Sequence, residues 1–322
     1  MLGAIIGDIV GSRFEFNPTN DYNFELFTDE CGFTDDTICT CAVADALLKG
    51  RDYGEALHEW CRQYPYPKGG YGGRFAKWVR SDNPQPYNSY GNGSAMRVSP
   101  VAHWYENIDE MLDAAAATAL PSHNHKEGIK GAQTVALAIF KALHYHGYQE
   151  APMHIDEIIS ECVQFSGYDI NMPKASVLNK FDETCQGTVP VALKIISMAT
   201  CFEDAIRLAV SLGADADTLG AVTGSIAEAI WGIPSELRHK VEKYLPNEMQ
   251  SVLRDFYHIR PRSYKPLIDT CFSGNDFSDI SWSIIYDIDG KDKYNEFKKK
   301  IEDEHKQKRM LMAERAKVRI NW

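Results

Sequence analysis

The sequence predicts a mainly helical fold, and three features of its 322 residues support this class. Apolar side chains recur near the period of about 3.6 residues that is typical of amphipathic helices. Several segments are rich in alanine, and strand signals are scarce, the best of them covering residues 282–288. Hydrophobic residues make up 44% and charged residues 25% of the chain. Both values are ordinary for a globular domain and exclude wholesale disorder.

Each predicted helix rests on its own sequence pattern. The helix over 36–49 follows Thr34 and Asp35, two residue types that favour helix starts. The helix over 108–120 is alanine-rich, and the helix over 126–146 carries one apolar stripe. Further helical patterns cover 154–166, 189–199, 203–211, 218–230, 235–244 and 248–257. Two segments rich in glycine and proline, 64–76 and 82–95, are predicted to be loops.

The composition changes near residue 260. Residues 262–290 are rich in serine and aspartate, and 291–319 form a predicted helix with eleven basic and six acidic side chains. We therefore expect one helical domain over 1–260 and a C-terminal helical appendage over 261–322. The charged helix is either solvated and stabilised by ion pairs one turn apart, or a contact for a partner or a second subunit.

Charge and cysteine patterns exclude several classes of function. The net charge of −11 argues against a broad nucleic-acid interface, because an acidic surface repels polyanions. No apolar run is long enough for a membrane span, and MLGAIIGDIVG lacks the basic leader and cleavage site of a signal peptide. We therefore expect a cytoplasmic protein without a membrane partner. The eight cysteines include no CxxC pair, which argues against a zinc site.

Two acidic clusters resemble each other. The first is FTDDT at 33–37 and the second is GADADT at 213–218, and each places two aspartates beside a threonine at a predicted helix start. Helix capping explains part of this pattern, because side-chain oxygens accept hydrogen bonds from the first turn and acids suit the helix dipole. Two carboxylates and a hydroxyl exceed what one cap needs, so metal binding is the alternative.

The second cluster lies between the apolar segments 208–214 and 219–230. Two buried carboxylates repel each other and lose hydration, and a divalent cation would offset both effects. Oxygen ligands without cysteine or histidine at ligand spacing favour Mg²⁺, Mn²⁺ or Ca²⁺. Asp215 and Asp217 could share an ion only if one of them lies in the preceding loop, which Gly213 would allow. Four carboxylates from two helix starts would suit a binuclear site.

Three further features are candidates for chemistry. Glu15, between two phenylalanines, is either an exposed residue or a carboxylate in an apolar site that could act as a base or a metal ligand. The segment GNGS at 91–94 enters a predicted helix, and it is either a plain turn or a phosphate-binding loop. His123 and His125 lie at another helix start, as surface residues or as ligand contacts.

Five segments together resemble the ADP-ribosylglycohydrolases, the group that includes dinitrogenase-reductase-activating glycohydrolase and the ADP-ribosylarginine hydrolases. They are GAIIGDIVGSRFEF, FTDDT, GNGSAMRVSP, SHNHKEGIKGA and SLGADADTLGAVTGSIAEAIWGIP. They occur in the family's order and span about 1–257 of the chain. An ordered set is more specific than any single motif, and it favours metal binding over capping for both acidic clusters.

The resemblance implies a compact orthogonal all-α domain that binds two Mg²⁺ ions, with Mn²⁺ as the other possible metal, in a central cleft. The metal ligands that it implies are Thr34, Asp35, Asp36, Asp215, Asp217 and Thr218. The catalytic residues that it implies are Glu15, Asp36 and Asp215. The substrate contacts are Asn92, Gly93, Ser94, His125 and Gly213.

The implied activity is metal-dependent hydrolysis of the glycosidic bond at C1″ of ADP-ribose, which would remove ADP-ribose from modified proteins, with an arginine linkage favoured. Such a reaction passes through an oxocarbenium-like state and uses a metal-activated water. Two alternatives are hydrolysis of ADP-ribosylated small molecules or related nucleotide-sugars, and a non-catalytic ADP-ribose-binding or interaction protein. The segment 187–190, GTVP, lacks an aromatic residue that contacts the substrate in some members, which weakens the argument for arginine.

Overall fold

A computed structural model describes residues 1–148 and 155–259, together with Met310. Within these residues the regular secondary structure is helical, apart from one isolated β-bridge between Gly91 and Thr184, so the predicted all-α fold is confirmed. The helices are α1 (Leu2–Gly11), α2 (Asp35–Lys49), α3 (Tyr53–Gln63), α4 (Gly73–Arg80), α5 (Gly93–Met96), α6 (Ser99–Trp104), α7 (Ile108–Ala119), α8 (Lys126–Tyr148), α9 (Ile155–Ser166), α10 (Cys185–Met198), α11 (Phe202–Val210), α12 (Ala216–Trp231), α13 (Ser235–Glu242) and α14 (Asn247–Ile259). None of the helices described here is both long and apolar enough to cross a membrane.

The predicted helices are confirmed within a few residues at each end, whereas α1, α3, α4 and α6 were not expected. Helix α1 is buried on almost every side, so it lacks the amphipathic pattern that marks a surface helix. The loop predicted over 64–76 ends early because α4 begins at Gly73, and the loop over 82–95 ends where α5 begins at Gly93. The predicted strand at 282–288 and the charged helix at 291–319 lie outside the described residues, Met310 excepted.

Helices α1 and α12 cross in direct backbone contact near the centre of the fold. Gly3 of α1 meets Gly224 of α12, whereas Gly11 meets Ala216, so the two helices run antiparallel. At the middle of the crossing, a Cβ added to Gly220 would lie 2.6 Å from the carbonyl oxygen of Gly7. Because rigid backbone occupies that space, glycine is required at this position. The crossing brings the first turn of α12 against the last turn of α1.

Replacing Gly7 by alanine should destabilise the fold by about 3 kcal/mol, because the new methyl group would overlap the backbone of Gly220. Chemical unfolding in urea measures this change. Gly73→Ala is the matched control, since the first residue of α4 has no atom within 4 Å of the added Cβ. The control should shift the free energy of unfolding by less than about 1 kcal/mol. Equal effects of the two substitutions would contradict the close crossing.

Candidate active site

Asp8 connects α1 to the start of α2. Its buried carboxylate accepts hydrogen bonds from the backbone nitrogen and hydroxyl of Thr34, at 3.0 and 2.8 Å, and from the backbone nitrogen of Thr37 at 3.0 Å. The Thr37 hydroxyl donates to it as well. Burial raises the pKa of Asp8 to about 6, although these hydrogen bonds oppose the shift. Sequence reasoning overlooked this residue as a site element, and the available signal was a single charge inside an apolar helix.

The first turn of α2 presents Asp36 to α12. Thr34 caps α2 by accepting a hydrogen bond from the Asp36 nitrogen at 3.3 Å, so capping accounts for the threonine. The Asp36 Oδ2 atom accepts a hydrogen bond from the hydroxyl of Thr218 at 3.2 Å and lies 3.4 Å from the hydroxyl of Thr34, whose proton goes to Asp8. Its Oδ1 atom is buried, with no hydrogen-bond partner among the described residues. The two acidic clusters therefore meet at this carboxylate.

In the second cluster, one aspartate precedes the helix and the other lies within it, which is one condition for sharing an ion. Asp215 has φ −68° and ψ 83° and precedes α12, whereas Asp217 lies in the first turn. The Asp215 side chain makes no capping hydrogen bond and accepts one from Asn92 Nδ2 at 2.7 Å. Asp217 Oδ1 is buried and finds no hydrogen-bond partner within residues 1–148 and 155–259. Capping therefore does not explain these two carboxylates.

The pKa values of the cluster show how strongly its carboxylates are confined. Burial, reinforced by neighbouring carboxylates, raises the pKa of Asp35, Asp36 and Asp217 well above the usual range for aspartate. Burial raises the pKa of Asp215 to about 7, although the hydrogen bond from Asn92 opposes the shift. Without a cation, these side chains cannot all be ionised at neutral pH at low free-energy cost.

Glu15 lies beside this cluster, and its carboxylate is close to Gly69. Burial and the nearby charge of Asp217 raise the pKa of Glu15 to about 8. Its Oε2 atom is buried without a hydrogen-bond partner in the described part of the chain. Gly69 has φ +75°, and a Cβ on it would overlap this carboxylate. Of the two alternatives for Glu15, the geometry favours a carboxylate in a confined site.

The donor set fits a divalent oxygen-binding cation. The three orphaned oxygens belong to Glu15, Asp36 and Asp217, and carboxylates and threonine hydroxyls are the ligand types that Mg²⁺ and Mn²⁺ accept. Among the described residues, no three Asp, Glu, His or Cys side chains are placed so that together they could hold a metal ion. Instead, these side chains are neighbours in pairs, and Asp217 is close to both Glu15 and Asp36.

The loop at 91–94 adjoins the cluster through Asn92. The Asn92 amide donates to Asp215, as above, and to Thr188 Oγ1 at 3.0 Å, which ties the loop to α10 and α12. Helix α5 begins at Gly93, within this loop, where the sequence predicts a helix start. Ser94 is fully buried, and its hydroxyl donates to the carbonyl of Gly128 at 2.7 Å. The Ser94 side chain therefore packs α5 against α8 and does not face the carboxylates.

The two histidines occupy different surroundings. His123 is buried, and its Nε2 atom faces the loop, because a Cβ added to Gly93 would lie 3.1 Å from it. Arg97 Nη2 donates to Ser122 Oγ at 3.0 Å, and this hydroxyl lies 2.8 Å from His123 Nδ1. The Ser122 hydroxyl therefore connects the buried Arg97 side chain to the His123 ring. Burial and the charges of Arg97 and Arg74 lower the pKa of His123 well below its usual range.

No hydrogen bond among the described residues joins His125 or Gly213 to the carboxylates. His125 Nδ1 accepts a hydrogen bond from the Glu127 nitrogen at 3.1 Å, and its ring lies 5.3 Å from that of Tyr90. Gly213 has φ +62°, and a Cβ on it would come within 3.2 Å of Asn20 Nδ2. Gly213 therefore shapes the turn before α12.

Comparison with known proteins agrees with this fold. A family model described as ADP-ribosylglycohydrolase matches residues 1–266. ADP-ribosylhydrolase ARH3 of Homo sapiens is 25% identical over 334 residues, which cover 80% of this chain and 92% of the relative. ADP-ribosylarginine hydrolase Tri1 of Pseudomonas putida is 26% identical over 293 residues, which cover 76% and 72%. A solved chain from an "ADP-ribosylglycohydrolase-related protein complex" has a TM-score of 0.59 at 24% identity and covers 80% of this chain and 95% of its own, which indicates the same fold.

The fold and the site define an all-α protein in which two helix starts bring buried carboxylates together. The match over 1–266 shows that the chain belongs to the ADP-ribosylglycohydrolase family. It is accordingly an enzyme of the class that cleaves ADP-ribose glycosidic linkages.

The carboxylate cluster should make the metal-free protein less stable as the pH rises from 6.5 to 8.5. The pKa values of Asp215, about 7, and Glu15, about 8, exceed those of an unfolded chain, so the folded state binds more protons. The free energy of unfolding then falls with pH. Thermal denaturation in chelator measures the effect. The upper part of the window, from about pH 7.5 to 8.5, lies above most of the opposing titration of unfolded His123 near pH 6.5.

Saturating Mg²⁺ or Mn²⁺ at pH 8.5 should restore the melting temperature, because a ligand that binds only the folded state stabilises it. Asp217→Asn is the control, since it removes one charge from the cluster and should flatten the pH dependence in chelator. This electrostatic account would be contradicted by a melting temperature that rises with pH in chelator and does not change when Mg²⁺ or Mn²⁺ is added.

Proposed function

We propose that this enzyme hydrolyses the bond at C1″ of ADP-ribose and releases ADP-ribose from modified proteins, with an arginine linkage favoured. The proposal depends above all on the three orphaned carboxylate oxygens of Glu15, Asp36 and Asp217. They lie beside a loop whose Asn92 is hydrogen-bonded to the same cluster. An ADP-ribosylarginine hydrolase among the relatives supports the arginine linkage, and the resemblance supports the bond that is cleaved.

Two Mg²⁺ ions, or Mn²⁺, are the proposed cofactors. The residues that would hold them are Thr34, Asp35, Asp36, Asp215, Asp217 and Thr218. When bound, such ions lower the pKa of water and fix hydroxyl groups of the ribose. The Asp36 carboxylate accepts a hydrogen bond from Thr218, and the Asp215 carboxylate accepts one from Asn92. Each hydrogen bond fixes the orientation of its carboxylate for metal binding.

Glu15 is the proposed proton acceptor. Its Oε2 atom has no hydrogen-bond partner in the described residues, and burial brings its pKa to about 8. A carboxylate with a pKa near the working pH can accept a proton from an attacking water and return it to a leaving group. The Asp36 and Asp215 carboxylates would orient the sugar and the water.

The loop 91–94 and His123 are the proposed ADP-ribose contacts, together with His125 and Gly213 at the edges of the site. The first-turn N–H groups of Gly93 and Ser94 have no intrahelical acceptor, as at any helix start, and can bind phosphate oxygens. His123 adds an imidazole whose Nε2 atom faces the same loop. Ser94 would contribute through its backbone, because its side chain is buried against α8.

Asp36→Ala and Asp215→Ala should each lower the release of free ADP-ribose by about 100-fold or more, because the loss of one ligand unbalances the metal site. The assay is hydrolysis of an arginine-ADP-ribosylated protein with Mg²⁺ and with EDTA. Asp113→Ala, at an exposed aspartate of α7, is the control and should retain full activity. Circular dichroism should show unchanged helix content in all three variants. Equal release in EDTA would refute the metal-dependent mechanism.

A further inference from the structure

An exposed aromatic pair lies next to the candidate active site. Phe16 is 71% exposed and Phe181 is 46% exposed. Their rings stack, with centroids 6.0 Å apart and an angle of 28° between the ring planes. Single exposed apolar residues are ordinary, whereas two large rings that remain in solvent while touching each other form a patch suited to binding. We call Phe16 and Phe181 the aromatic pair.

The segment that carries Phe181 is anchored to the turn before α12. Asn179 adopts the left-handed conformation, with φ +54°, and its nitrogen donates to the carbonyl of Leu212 at 2.8 Å. Asn20 Nδ2 donates to Asn179 Oδ1 and to the carbonyl of Ser211, both at 3.0 Å. These contacts join the segment after Phe16, the segment before Phe181 and the turn before Asp215. The aromatic pair is thus held at a fixed edge of the site.

This edge adjoins Glu15, the proposed proton acceptor. Phe16 directly follows Glu15, so their Cα atoms are about 3.8 Å apart. Glu183, two residues after Phe181, is close enough for its charge to act on both Glu15 and Asp215. In ADP-ribose, two riboses and a diphosphate separate the adenine from C1″, whereas the leaving group is attached to C1″ itself. The aromatic pair is therefore placed to meet the leaving group.

The chemistry of the edge favours a planar cation. A guanidinium group stays positively charged after ribosylation and stacks on aromatic rings. The exposed Glu183 carboxylate supplies negative charge beside those rings. A serine-linked substrate offers neither a planar group nor a charge at this position. Building on the proposed function, we propose that Phe16 and Phe181, with Glu183, form the leaving-group subsite and select the guanidinium of a modified arginine.

The test compares two substrates that differ only in the linkage, an arginine-linked and a serine-linked ADP-ribosyl peptide. Phe16→Leu and Phe181→Leu remove one ring each, and Glu183→Gln removes the charge. Phe165→Leu is the control, because Phe165 is exposed on α9, away from the pair. For each protein, kcat and KM are measured on both peptides, and ADP-ribose, which lacks a leaving group, is titrated as a product inhibitor.

Each ring variant should raise the KM for the arginine-linked peptide about three- to fivefold, the size of an exposed cation–π contact. The KM for the serine-linked peptide and the inhibition constant of ADP-ribose should stay within twofold. Glu183→Gln should raise the same KM, and its effect should shrink at high salt. Phe165→Leu should change nothing.

A parallel weakening of ADP-ribose inhibition would overturn the subsite, because the rings would then hold the nucleotide. Unchanged KM values in both ring variants would overturn it as well. In either case the unaltered protein would still release ADP-ribose. Absence of release from both peptides by the unaltered protein would instead refute the proposed function, and the subsite with it.

Discussion

The backbone contact between α1 and α12 is the constraint on which the site depends. Glycine at positions 7 and 220 lets the two helices approach until main chain touches main chain. That approach sets the first turn of α12, with Asp217, beside the end of α1. Asp8, in α1, accepts hydrogen bonds from Thr34 and Thr37 at the start of α2. These bonds place Asp36 of the same turn next to α12. Side chains that are far apart in the sequence thereby become neighbours.

The arrangement concentrates negative charge in a protein that is already acidic, with a net charge of −11. Burial of the carboxylates raises their pKa values, so the fold carries an electrostatic cost that a bound cation would offset. The same cations would resolve a second difficulty, because ADP-ribose is a dianion that an acidic surface would repel. On this account, the repulsion between buried carboxylates both destabilises the fold and gives the cluster its affinity for a cation.

Much of the helical fold and the two acidic clusters could be predicted from the sequence, since α2, α8 and α12 have clear periodicity or capping signals. Helix geometry required one of Asp215 and Asp217 to precede the helix if they share an ion, and only the structure shows that it is Asp215. Helix α1 could not be recognised by periodicity, because burial on nearly all sides removes the amphipathic pattern. The role of Asp8 in docking α2 and the chain from Arg97 through Ser122 to His123 depend on contacts between distant segments. Such contacts have no local signal in the sequence. For the same reason, the orientation of the Ser94 side chain toward α8 was not predicted.

Manganese binding, followed by electron paramagnetic resonance, tests the central claim most directly, because it reports on the cluster without requiring turnover. The chain should bind two Mn²⁺ ions, and their spectrum should show magnetic coupling between neighbouring ions. Asp217→Asn should abolish that coupling, since this carboxylate belongs to the start of α12 and is close to Asp36 at the start of α2. A chain that binds no Mn²⁺, or a single ion with an uncoupled six-line spectrum, would contradict the binuclear site.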